Sequence, residues 1–68
     1  MTAPSYPVTN TQVVTPNGPG ICQGLLREDG YIYVMVRHPR PITESHGGRP
    51  WRINAATTLW VYEPEEVR

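Results

Sequence analysis

The clearest strand pattern along the chain lies between Ile21 and His38, in the run ICQGLLREDGYIYVMVRH. The pattern predicts two strands of about eight residues joined at Asp29-Gly30, because Asp-Gly suits a two-residue type I′ turn with positive φ at both central positions. The second strand, Tyr31–Arg37, is rich in Tyr, Ile and Val, which fit a pleated, half-buried surface. With so short a loop, Glu28 faces Tyr31, Leu26 faces Tyr33, Leu25 faces Val34 and Gln23 faces Val36. One face then carries Ile21, Leu25, Ile32, Val34 and Val36, and the other carries Cys22, Leu26, Tyr31, Tyr33 and Met35. A sheet with one wet face alternates apolar with polar residues. Here neither face is polar, so both are expected to be covered, one by the core and the other by a second layer, a tail or a partner. Gly24, in mid-strand, marks a bulge or a bend, and a bulge would shift the upstream pairing by one residue.

The flanking segments are shorter and more punctuated. Residues 1–11, with Pro4 and Pro7, read as an extended arm ahead of a single domain over 12–68. Gln12–Thr15 predicts a short strand, and Pro16-Asn17-Gly18-Pro19-Gly20 a turn; no Gly-Lys-Ser/Thr follows to suggest a phosphate loop. Pro39 and Pro41 end the strand near His38, and about a dozen aperiodic residues follow, a length that is usually either functional or disordered. Trp51-Arg52-Ile53 predicts another short strand, 54–57 a turn, and Thr58–Tyr62 a final strand with Leu59 and Val61 on one side and Trp60 and Tyr62 on the other. Glu63-Pro64-Glu65-Glu66-Val67 predicts one helical turn, since proline and acidic residues suit a helix start.

Composition narrows the picture. A 68-residue chain makes one small domain, marginal in stability without a staple or a partner. The single cysteine excludes an internal disulfide and a cysteine-rich zinc site within one chain. No run is long enough to span a membrane, and MTAPSYPVTNTQ lacks the charge and apolar block of a signal peptide, so a cytoplasmic location is expected. Net charge is zero, against strong non-specific nucleic-acid binding. The charge is nevertheless segregated: none before Arg27, four arginines against one glutamate from Arg37 to Arg52, and an acidic end at Glu63, Glu65 and Glu66. All six basic residues are arginine, which favours planar and stacked contacts but also follows from codon bias.

Four or five short antiparallel strands with a terminal helical turn are expected to close into a small all-β barrel, which removes exposed edges. The run from Val14 to Ile21, with Gly24, the strand Tyr31–Arg37 and the closing Glu65-Glu66-Val67, resembles KOW-like and related SH3-like barrels. The resemblance covers roughly 12–37 and 58–67 and implies an SH3-like fold. The basic residues that an RNA-binding KOW segment carries near its first turn are missing.

Two residue sets are candidate contact surfaces. Tyr31, Tyr33, Trp60 and Tyr62 would share one face with Met35 if the last strand pairs beside Tyr31–Arg37; aromatics with arginine are enriched at binding hot spots, although a small domain also needs such rings for its core. Arg37, Arg40, Arg49 and Arg52, with Trp51, could stack on bases or clamp an acidic partner such as the end 63–66 of a second copy, although charged loops are commonly only solvated. Cys22, His38 and His46 are poor metal ligands: Ile21 rather than Cys22 opposes His38 in the pairing above, which turns Cys22 and His38 to opposite faces. No cofactor is implied. Ser5 and Ser45 have no partner base on a rigid element, and a chain this small rarely encloses a substrate pocket, so no enzymatic activity is expected. The expectation is a protein-interaction module or small subunit of an assembly, with a protein partner or a homo-oligomer. Alternatives are a KOW-like RNA-binding domain and a small phage or mobile-element inhibitor of a host complex.

Overall fold

The Asp29-Gly30 turn forms as its chemistry dictates. Both residues have positive φ, 52° and 82°, and the strands either side pair Glu28 with Tyr31, Leu26 with Tyr33 and Leu25 with Val34. In the computed structural model, which describes residues 6–51 and 58–68, five strands form one sheet. They are β1 (Gln12–Thr15), β2 (Gly18–Glu28), β3 (Tyr31–Arg37), β4 (Arg49–Pro50) and β5 (Leu59–Tyr62), in the order β1-β2-β3-β5-β4, every pair antiparallel. A 3₁₀ turn, Pro64–Glu66, follows, and Glu66 folds back to accept a hydrogen bond from the Glu63 N–H at 3.0 Å.

Gly24 is the bulge. Its φ of 130° is open to glycine, and the register shifts between Cys22 and Gly24. Upstream, Cys22 therefore opposes Val36, where the unbulged pairing has Gln23, and Ile21 opposes Arg37 rather than His38. This one-residue slip turns Cys22 from the face of Tyr31 and Tyr33 to that of Val34 and Val36, and leaves Ile21 on the outside. β2 also starts earlier than expected: only Pro16 and Asn17 turn, and Gly18-Pro19-Gly20 already pairs with β1. Asn10 and Thr11 continue that ladder, through Asn10 N–H to the Cys22 carbonyl (2.7 Å) and Cys22 N–H to the Thr11 carbonyl (2.9 Å).

The core consists of Val13, Cys22, Val34, Val36, Trp60 and Tyr62, with Ile42 from the long loop and Val67 from the terminal segment packed against it. The β3–β5 register, Val36 with Trp60 and Val34 with Tyr62, puts both β5 aromatics on this inner face. Trp60 Nε1 is buried with no hydrogen-bond partner among the described residues, so the indole serves there as an apolar slab.

The sheet stays open, contrary to the expected closed barrel, and the resemblance to SH3-like and KOW-like barrels does not hold. β1 and β4 are its edges and do not pair with each other. Closure is replaced by other ways of blunting an edge. β4 is two residues long and ends in Pro50, which has no N–H to offer. The outer edge of β1 is clasped by the last residue: Val14 N–H donates to the Arg68 carbonyl (2.8 Å) and Arg68 N–H returns to the Val14 carbonyl (2.9 Å). Of the strand expected over 51–53, only Trp51 is described; its N–H donates to the Leu59 carbonyl at 3.0 Å, just beyond β4. The turn expected at 54–57 lies outside the described residues.

Candidate binding surface

Strand alternation divides the expected aromatic face in two. Trp60 and Tyr62, 6% and 0% exposed, stack in the core with ring centroids 6.4 Å apart. Tyr31, Tyr33 and Met35 point to the opposite, outer side of β3. There Tyr31 and Tyr33 lie 6.5 Å apart, and Tyr31 is 67% exposed. Even-numbered residues of β3 face even-numbered residues of β5, so Tyr33 cannot share a face with Trp60 or Tyr62.

The arginines are divided as well. Arg49 is engaged: its Nη2 donates to Glu28 Oε1 at 2.7 Å and its guanidinium sits 5.4 Å from the centre of the Tyr33 ring. Pairing an exposed arginine with both a carboxylate and an aromatic face ties β4 to the hairpin, at a gain of roughly 1 kcal/mol or less. Arg37 and Arg40 are exposed, Trp51 is half-buried, and Arg52 lies outside the described residues. Glu63 is fully exposed, and a hydrogen bond with Glu65 pushes its carboxyl above the usual carboxylate range.

His38, read from sequence as a weak metal candidate facing away from Cys22, is instead on the same inner face. It extends the alternation Val34, Val36, His38 and is 2% exposed. Its Nδ1 lies 3.1 Å from the Pro19 carbonyl, which can only accept, so Nδ1 carries the hydrogen. Nε2 then accepts from the Tyr62 hydroxyl at 2.6 Å. The Tyr62 oxygen in turn accepts from Asn17 Nδ2 at 2.9 Å. Asn17 spends its remaining capacity on the long loop, donating to the Gly47 carbonyl (2.9 Å) and accepting from the His46 N–H (2.6 Å). This chain pins the β1–β2 turn, the end of β3 and the loop together. Sequence reasoning read Asn17 only as a turn residue and Tyr62 as a contact residue. The available signal was a histidine in phase with two core valines. Among the described residues no group of three or more His, Cys, Asp or Glu is placed to hold a metal ion, and no helix is long and apolar enough to cross a membrane.

Burial pushes the Tyr62 phenol above the ordinary tyrosine range, against the opposing pull of its hydrogen bonds to Thr15 and Asn17. The unfolded phenol ionises first, so Tyr62's contribution to stability is complete below about pH 10 and is lost as pH rises from there toward its higher folded value. Urea unfolding from about pH 8 to 11 should show this loss, and Tyr62→Phe should flatten the slope. An unchanged slope in the variant would place the titration elsewhere.

The outer side of the sheet is not polar. Val14 is 55% exposed and Ile21 40%. Gln12, Ile21 and Arg37 form one cross-strand row, and with Pro19 and Pro39 they line a shallow groove of about 260 Å³ whose floor is Gly20 and His38. Gly20 permits the close approach beneath it: a Cβ there would lie 2.5 Å from Val36 Cγ1 and 2.8 Å from the Arg37 carbonyl oxygen. A polar cleft lies further along the same side, between Tyr33, Arg49, Val61, Glu63 and Glu66. Comparison with protein-family models, with curated proteins and with solved structures finds no match for this chain.

Proposed function

We propose that this chain is a non-catalytic protein-binding module, or a small subunit of a larger assembly, that uses the outer side of its sheet. The observation that carries the reading is a sheet apolar on both sides whose outer side, covered around Val61, is left open at Val14 and Ile21. On the outer side Val14 is 55% exposed, Ile21 40% and, near the hairpin tip, Tyr31 67%. Such residues on so small a sheet mark contact surfaces when they are contiguous. The rigid scaffold beneath them, held by the His38–Tyr62–Asn17 chain, suits a surface that binds without reorganising.

The test is affinity capture with the tagged protein and with Ile21→Glu and Tyr31→Ala, each with and without nuclease. Both side chains are exposed, so both variants should fold. A stoichiometric protein partner that survives nuclease and is lost with Ile21→Glu is the expected result. Capture that vanishes with nuclease would replace this reading with nucleic-acid binding. Capture indifferent to both substitutions would refute the outer side as the contact surface.

A further inference from the structure

We infer that the groove between Pro19, Ile21, Arg37 and Pro39 takes an acidic peptide segment, one apolar side chain in the groove and a neighbouring carboxylate on Arg37. The inference rests on the binding-module reading and names the chemistry of the partner. Size is the first argument. Small-molecule sites enclose roughly 300–1,000 Å³ and bury most of their ligand. This groove, at about 260 Å³ and open to solvent, has room for a side chain or two. The second argument is the backbone. Ile21 is paired on both flanks, with Gln12 and with Arg37, and the Pro19 carbonyl is taken by His38. An added strand would find no free ladder there, so recognition must run through side chains.

Charge decides the rest. Arg37 is the one charged side chain among the groove's lining residues; it is exposed and has no ion-pair partner among the described residues. Arg40 directly follows Pro39 and is likewise exposed. No acidic residue lines the groove: Glu28 is committed to Arg49, and Glu66 to the Glu63 N–H. An apolar slot rimmed by an unpaired guanidinium is complementary to a carboxylate beside an aliphatic or aromatic side chain. A nucleic acid would ask instead for a row of cations along its backbone and an exposed ring for stacking, and the groove supplies neither.

The probe is an acetylated, amidated hexapeptide of alternating leucine and glutamate, titrated into ¹⁵N-labelled protein, with the leucine–lysine hexapeptide and an oligothymidylate as comparators. The expected result is saturable shifts at the amides of Gln12, Ile21 and Arg37 with the glutamate peptide alone, and affinity lowered about tenfold or more in Arg37→Glu, as loss of a charge-assisted contact implies. Equal binding of the lysine peptide, shifts confined to other residues, or preferential binding of the oligothymidylate would overturn it. So would the absence of shifts at millimolar peptide. If the peptide fails while Ile21→Glu still abolishes partner capture, the acidic occupant falls and the binding module stands. If both fail, the outer side is not a binding surface.

Discussion

Gly48→Ala is expected to cost about 3 kcal/mol, enough to lower the melting temperature by well over roughly 10 °C in a domain of this size. Two effects add. Gly48 has a φ of 69°, in the left-handed region that a side chain strains. It also lies flat on Tyr62: a Cβ there would be 2.5 Å from both Cδ1 and Cε1 of the ring and 2.9 Å from the Val61 carbonyl oxygen. None of these can yield cheaply, because Tyr62 is fully buried and its hydroxyl is held by His38 and Asn17. Gly30→Ala separates the two effects. Gly30 also has positive φ, 82°, but a Cβ there would meet nothing within 4 Å, so strain alone, about 1 kcal/mol, is expected. Thermal unfolding of the two variants should therefore rank Gly48→Ala far below Gly30→Ala. Equal shifts would mean that the loop does not rest on Tyr62. Small domains hold total stabilities of only about 5 kcal/mol, so the first variant should sit near the edge of folding.

The β2–β3 hairpin shows what was legible in the sequence. Downstream of Gly24 the hairpin reads correctly because its register is set locally, by the Asp29-Gly30 turn and the two-residue loop. Upstream, a single inserted residue reverses every assignment, and whether a strand glycine bulges or merely bends is decided by what packs beside it. An unbulged pairing therefore puts Cys22 and His38 on opposite faces, whereas the bulge turns Cys22 to join His38 in the core. The phase of β5 was not legible for a related reason. Its register against β3 is a long-range choice, made across a loop too long to dictate it. It is settled by Trp60 and Tyr62 filling the space over Val36 and Val34. An open sheet and a closed barrel share one alternation pattern. What distinguishes them here is the two-residue β4 with Pro50 and the Arg68 clasp on β1, features of the edges rather than of the pattern.

The segregation of arginine to the middle of the chain was visible from composition, but its division of labour was not. Arg49 stands opposite Val61 across the β4–β5 ladder, and from there it reaches Glu28 on the hairpin. Arg37, at the end of β3, has no acid within its row: its cross-strand neighbours are Ile21 and Leu59. Register, which the sequence does not state, is thus what makes one guanidinium structural and leaves the other available.

His38→Leu should destabilise the protein by about 2–3 kcal/mol, because it leaves the buried Tyr62 O–H without an acceptor, at roughly 1–3 kcal/mol, and removes the donor to the partly buried Pro19 carbonyl. Tyr62→Phe alone should cost less, about 1–2 kcal/mol: it orphans Nε2 of His38, while Asn17 keeps its bond to the Gly47 carbonyl. The informative measurement is the double variant. Once His38 is leucine, the Tyr62 hydroxyl has lost the acceptor at 2.6 Å, and replacing it by phenylalanine removes a stranded donor instead of a satisfied one. Urea unfolding of all four proteins should therefore show a double variant more stable than the sum of the two singles implies, by about 0.5–3 kcal/mol. Additivity to within about 0.5 kcal/mol would mean that the two side chains do not act as a bonded pair. Because the same bond holds the end of β3 beneath the groove, coupling should be accompanied by broadened amide resonances at Ile21 and Arg37 in each single variant, with the hairpin tip at Asp29 unaffected.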